Sequence, residues 1–427
     1  MSSERASDRP DAAGEPPPPY EPLQDALTRA VTTRWWRRWL RHRSDRPWWQ
    51  QSAVLAAAGV VVVLSAVAIV APWSGSRGAE RDRDAFGPAG SVLQTPTDAP
   101  ADPRSVVSRP EAGRTAGPDC QSPLSVVVAP DLAGAVQELA QPLLGGDCPK
   151  LAITAETPAA TLNTLAAGGG SPDVWIPDST LWLRLADDPD LPDRGTSVAR
   201  TPVVLAVPPP VADQFEREGA WPVWLVFYDK VTSGAIPRMS MPPPESTAGA
   251  LTLVAFAAAA EYHWGDDGEG APFLRMIDFR NHLATTDADP EALLNQLATT
   301  PAAESDTRVG VFPVTEQRLL AYLDRGPATP AVAFGTHEAM SEADYPMAIS
   351  QALDDRLAGI ADELRAQLRS PAAVQRLAEL GFRPPRGEQL RPAALTDTNR
   401  FPDYPDPVSL PDPAGWQQLV DGWRFQG

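Results

Sequence analysis

Between Ser52 and Ala71 the chain reads SAVLAAAGVVVVLSAVAIVA, about 20 residues without a charge, and no other stretch limits the fold so strongly. At about 1.5 Å per residue, such a helix spans the roughly 30 Å hydrocarbon core of a bilayer. Its valines are indifferent helix formers in water. In lipid, however, every backbone N–H and C=O must find its partner within the segment, which enforces helix. Arg34, Arg37, Arg38, Arg41, Arg43 and Arg46 precede the span, whereas Arg77, Arg81 and Arg83 after it are mixed with Glu80, Asp82 and Asp84. This asymmetry predicts a single-pass protein with a cytoplasmic N-terminus and the bulk of the chain outside the cell. Trp48, Trp49 and Trp73 bracket the span as interface anchors, and Trp35, Trp36 and Trp39 alternate with arginines as in a short helix lying on the headgroups. The competing reading is a cleaved signal peptide, with small residues near Ala68 to Ala71 and near Gly78 and Ala79. Against it, the apolar run exceeds the usual stretch of about 7 to 15 residues and the segment before it is long for a signal. Either reading exports everything that follows.

The span sets the organisation. Residues 1–51 form a polar, Pro-rich and then basic cytoplasmic segment, 52–72 the transmembrane helix, and 73–119 an extracellular linker. Neither flank carries enough apolar surface to order itself, and about 45 linker residues reach on the order of 35 to 40 Å as a random coil. A folded domain is expected over 120–385, followed by a Pro- and Asp-rich strap at 386–427 that docks through Trp416 and Trp423. With 427 residues, 43% of them hydrophobic, the chain can bury one large core or two lobes. The net charge of −19 excludes nucleic acid, whose binding relies on clustered cations. Cys120 and Cys148 both fall in the exported part, where an oxidising compartment favours a disulfide between them. No spacing of Cys with His suggests a metal, and no cofactor is expected.

After Cys120, short β-branched runs alternate with stretches of helical period, which predicts an α/β fold with mostly parallel sheets. Leu124–Ala129 reads as a buried strand and is followed by a helix over Leu132–Leu144. A second strand at Leu151–Thr154 precedes a helix that stops at Gly168–Gly170. Then come the strand VWIP at 174–177, a helix through Trp182 and Leu185, and the strand Val203–Val207. The order LSVVVAPDLA, PDVWIPDSTLWLRLA, ARTPVVLAVP, VGVFPVTEQ, DYPMAIS and GFRPP resembles the type II extracellular solute-binding proteins, over roughly residues 120 to 385. The similarity is greatest to the membrane-anchored actinobacterial form often fused to a von Willebrand factor A domain. The resemblance implies a two-lobed periplasmic-binding-protein-like type II fold, with lobe one at about 120–205 and 335–385, lobe two at about 206–334, and a small solute in the cleft. No DxSxS adhesion motif follows the solute-binding region, so such a domain is expected on another chain if it exists.

In this architecture ligands meet loops at the carboxyl ends of strands and the N-termini of helices. Asp131 follows the first strand and reads chiefly as a helix N-cap. Asp178, Ser179 and Thr180 follow the third, where the resemblance places them on the cleft rim. Thr201 precedes the strand expected to cross between lobes. Ser246, Thr247 and Gly249 open an apolar helix and form an N-terminal nest suited to an oxyanion, although Glu245 beside them would repel one. Tyr345 in DYPMAIS completes the candidates. No HExxH, GxSxG, P-loop or GxGxxG motif occurs, and His42, His263, His282 and His337 are scattered, so an enzyme is not expected. Two functions remain. One is a tethered receptor that captures or senses a small solute, with an ABC permease as one partner. The other is a degenerate binding fold acting as a protein-interaction module with a separately encoded adhesion-type partner.

Overall fold

The computed structural model describes residues 121–145, 147–268, 270–387 and 403–425. The expected membrane span at 52–72, with residues 1–51 and 73–119 on either side, lies outside them. Among the described residues, no helix is long and apolar enough to cross a membrane. Cys120 also lies outside, and no free cysteine occurs among the described residues.

The described region begins with β1 (Leu124–Val128), α1 (Pro130–Leu139), α2 (Gln141–Leu144), β2 (Leu151–Ala155), α3 (Pro158–Ala166), β3 (Val174–Ile176), α4 (Thr180–Ala186) and β4 (Thr196–Ser197). Leu124, Val126 and Val128 are wholly buried, as suits an interior strand. It pairs in parallel with β2, Leu124 opposite Leu151, and with β3, Val126 opposite Val174. The single helix expected over Leu132–Leu144 is two, α1 and α2. Pro142 has no N–H to offer the carbonyl four residues back and clashes with it, so the helix restarts at Gln141.

The second lobe holds β5 (Thr201–Val207), α5 (Pro209–Glu218), α6 (Trp224–Thr232), α7 (Thr247–Trp264), α8 (Ala271–Asn281), α9 (Pro290–Thr299), α10 (Ser305–Arg308), β6 (Phe312–Thr315), α11 (Glu316–Asp324), β7 (Val332–Phe334) and β8 (Glu342–Ala343). The chain then returns to the first lobe through β9 (Pro346–Ile349), α12 (Asp355–Leu368) and α13 (Pro371–Glu379), and α14 (Pro413–Arg424) closes the described region. Helix α7 is apolar on all sides, and such a helix must be surrounded. It is: every residue from Thr247 to Phe256 is buried.

The sheets differ from the mostly parallel expectation. The first has the order β2-β1-β3-β9-β4 and is parallel only among β2, β1 and β3; β9 runs antiparallel to β3 and β4 because the chain re-enters from the other lobe. In the second, β6, β7 and β8 all pair antiparallel to β5. Strand β5 lies wholly in this second sheet. The chain therefore changes lobes at Val198–Arg200 and Asp344–Tyr345, not at 205/206 and 334/335.

Of the strap's described residues, 403–412 are irregular. Val408 N–H donates to Met340 O at 2.7 Å, and Arg184 of α4 donates to the carbonyls of Leu410 and Pro411 at 2.9 and 3.2 Å. Helix α14 then buries Trp416, Leu419, Val420 and Trp423 in the second-lobe core. Gly422 faces the ring of Phe273, which would have to shift for a Cβ placed 2.6 Å from it.

Candidate functional site

The two chain passages between the lobes run side by side. Val198 N–H donates to Tyr345 O at 3.1 Å, and Arg200 and Arg383 exchange backbone bonds of 2.9 and 2.8 Å. Tyr345 has φ +37°, a left-handed conformation costly for a bulky residue, and its side chain is wholly buried. Its hydroxyl donates to Asp131 Oδ2 at 2.5 Å.

Asp131 does not cap α1, as the sequence suggests. Ala129 occupies the cap position, Pro130 is the first helical residue, and no side chain bonds the free N–H groups. As the second residue of the helix, Asp131 instead turns its side chain to Tyr345 and to Arg318 of α11, 4.0 Å away across the cleft. Its other oxygen, Oδ1, is buried without a hydrogen-bond partner.

Asp178 leaves β3 just before α4. Its Oδ1 accepts from Trp182 Nε1 at 2.8 Å and from Thr247 Oγ1, while Trp182 Nε1 also reaches Thr247 Oγ1 at 2.8 Å. Thr247 is the first residue of α7, so this bond too joins the lobes. Burial raises the Asp178 carboxyl to about 7, the charge of Asp131 adds to the rise, and the bonds from Thr247 and Trp182 and the charge of Arg318 oppose it. Burial, then the charges of Asp131 and Asp178, push the Tyr345 hydroxyl well up. For Arg318, burial works to lower its value, but Asp131, Tyr345, Glu291 and Asp178 outweigh it and raise it. Four helix starts, α1 and α4 from one lobe and α7 and α11 from the other, thus converge on one buried polar cluster. A separate crevice lined by Val203, Leu205, Trp224, Leu251, Thr252 and Ser341 lies inside the second lobe and includes none of these groups.

The family model for bacterial extracellular solute-binding proteins matches residues 124–383, more than half of the chain. The chain belongs to this family. Solved structures with the same fold include a periplasmic thiamin-binding protein (TM-score 0.51, 14% identity, 71% of this chain and 96% of that one). They also include a two-component system protein that mediates signal transduction (0.51, 12%, 70% and 100%) and the substrate-binding protein of an ABC transporter from Agrobacterium tumefaciens (0.50, 12%, 72% and 96%). At these identities the likeness concerns the fold. Comparison with curated proteins gives no match. Family membership makes the folded region an extracytoplasmic solute-binding domain.

Within this solute-binding fold, Asp131, Asp178, Thr247 and Tyr345 come together, and the other sequence candidates do not join them. Ser179 is wholly buried and caps α4 by accepting from Leu181 N at 3.2 Å. Thr201 Oγ1 accepts from Gln317 N at 3.0 Å, tying β5 to α11. Ser246 caps α7 through Gly249 N at 3.1 Å, and its own N–H goes to Pro243 O. The nest expected to cradle an oxyanion is therefore largely used up, and the carboxylate of Asp178 faces it through Thr247. Glu245, expected to repel an anion, pairs with Arg424.

Sequence reasoning missed Arg318, Trp182 and Asp344 as members of the site. Asp344 accepts from Thr180 N at 2.7 Å and from its hydroxyl at 2.5 Å, so it locks α4 to the second passage. Burial raises its carboxyl despite these bonds. The spacing of Asp178 and Trp182, four residues apart, was an available signal; nothing local marks Arg318.

Proposed function

We propose that the protein is a membrane-anchored extracytoplasmic receptor that holds a small solute between its lobes, at Asp131, Asp178, Thr247 and Tyr345. The observation that carries this reading is the convergence of helix starts from both lobes on a buried polar cluster beside the two connecting passages. The polar links across that cluster are few, Asp178 and Trp182 with Thr247 and Asp131 with Arg318. A hinge rotation about Val198–Arg200 and Asp344–Tyr345 would part them and admit a ligand. The apolar run at 52–72 tethers the receptor to the membrane, and an ABC permease is the partner to which it hands its solute. Ser179, Thr201 and Ser246 position the site without touching the solute.

Thermal shift of the full chain with oxyanions, sugars, amino acids and short peptides tests the proposal. A ligand at 100 times its Kd adds about 2.7 kcal/mol. The expected result is a rise in Tm with one class; no rise with any refutes the reading.

One observation favours a second reading. Trp175, Leu181 and Trp182 of the first lobe share an apolar cluster with Phe227, Leu253 and Phe256 of the second, so the lobes already meet through side chains. A fold closed in this way serves as a protein-interaction module with an adhesion-type partner on another chain. Recovery of one stoichiometric protein partner from solubilised membranes, with no bound small molecule in the purified complex, would establish it.

A further inference from the structure

The cleft is more acidic than basic, and one of its acids lacks a donor. The Asp131 side chain is 8% exposed, yet its buried Oδ1 accepts nothing. A buried acceptor without a donor costs roughly 1 to 3 kcal/mol, more when charged, so a protein with no use for the group gains by replacing it. Asp131 has two partners within the protein, both on Oδ2. Tyr345 donates a neutral hydroxyl at 2.5 Å, and Arg318 stands at 4.0 Å, beyond hydrogen-bonding reach.

The remaining groups fit the same picture. Asp178 brings a second carboxyl into the electrostatic range of the first, and burial together with that neighbour raises it. The donors facing Asp178 are neutral, Trp182 Nε1 and Thr247 Oγ1. Arg318 is the cation that both carboxylates feel, and the further acid acting on it is Glu291. Two carboxylates against one guanidinium leave the ionised cleft short of one positive charge and of one donor at Asp131 Oδ1. An anion would meet this deficit with more negative charge.

We propose that the solute is a small organic cation whose N–H groups bind Asp131 Oδ1 and whose charge lies between Asp131 and Asp178. Protonated amines, amidines and guanidines supply both features. A bare metal ion fits less well, because the Arg318 guanidinium lies beside the carboxylates and no group of three or more metal-ligating side chains occurs among the described residues. The net charge of −19 draws such a solute toward the protein.

This inference rests on the receptor reading, and the test separates the two. Binding of putrescine, agmatine, tetramethylammonium, sulfate, phosphate and glucose to the full chain is measured by calorimetry at pH 7.5, with Asp131→Asn and Arg318→Gln variants. Putrescine or agmatine is expected to bind and tetramethylammonium, which has no N–H, to bind at least tenfold more weakly. Asp131→Asn should weaken the amine at least tenfold. Arg318→Gln, which removes the competing guanidinium, should tighten it; for an anion the same change would weaken binding. Unfolding of each ligand-free variant shows that it is folded. If sulfate, phosphate or glucose binds and the amines do not, or if Arg318→Gln weakens the amine, this inference falls and the receptor reading stands. If none of the probes binds, this inference falls, while the receptor reading is decided by the wider thermal-shift screen.

Discussion

Asp178 offers a measurement that needs no ligand. Its carboxyl titrates at about 7 in the folded protein against an ordinary 3.8, because burial, and secondarily the charge of Asp131, disfavour the ionised form. At about 1.4 kcal/mol per tenfold change in proton affinity, the difference corresponds to about 4 kcal/mol. The sign follows from where the proton is held more tightly. The folded state holds it better than the unfolded chain, so nothing is lost below about pH 3.8, stability falls as pH rises from there to about 7, and the full penalty applies above 7. Asp178→Asn cannot ionise, while its side-chain oxygen still accepts from Trp182 Nε1 and Thr247 Oγ1. The ligand-free variant should therefore be more stable than the parent by up to about 4 kcal/mol at pH 8, a rise in Tm of about 6 °C for a folded region of roughly 300 residues. The gap should narrow to under about 1 kcal/mol at pH 4. Thermal unfolding of the full chain in detergent, followed by tryptophan fluorescence between pH 4 and 8, reads it directly. An equal gap at both ends of the range, or a variant less stable at pH 8, would refute the electrostatic account. A gap of the expected size and direction would support the proposed place of Asp178 in the solute site.

Four further outcomes are expected. Arg383 donates to Glu316 at 2.6 and 2.8 Å, with both side chains nearly buried, so Arg383→Ala should cost about 3 to 5 kcal/mol in urea unfolding and Glu316→Gln should recover part of it. Gly249→Ala would place a Cβ 2.2 Å from Pro243 O, and the resulting shift of α7 should lower stability by about 1 to 3 kcal/mol and loosen Thr247 from Asp178. Peptide mapping without reductant should recover Cys120 joined to Cys148, and Cys148→Ser should lose about 3.5 kcal/mol, the chain-entropy value for a loop of about 28 residues. Protease added to intact cells should digest the chain beyond residue 120; its survival there would contradict a cytoplasmic N-terminus joined to an exported domain.

The sequence and structural readings agree where one strand end or one helix start holds all the information. The run LSVVV and the proline after it place β1 and α1, and Asp178 and Thr247 stand out because each flanks a helix start. What could not be read is which helix starts face one another. Asp131 and Tyr345 are 214 residues apart, and Asp178 and Thr247 are 69 apart. Periodicity brings neither pair together; the two passages between the lobes do. Pro142 marks a similar limit, since the apolar spacing runs straight through the point where the backbone cannot continue as one helix.

The consequence reaches the chemistry of the cleft. Taken alone, the start of α7 offers N–H groups and a partial positive charge, and it reads as a seat for an anion. In the folded chain Ser246 uses one of those donors, Pro243 accepts another, and Thr247 turns its hydroxyl to Asp178. The field of a helix terminus amounts to about half a charge and fades within a turn, so one carboxylate seated against it is enough to cancel it. A second, Asp131, then reverses the sign. The preference of this cleft is decided by two acids at separate helix starts, brought together by the strained backbone at Tyr345, and weighing each helix start alone leads to the opposite ligand.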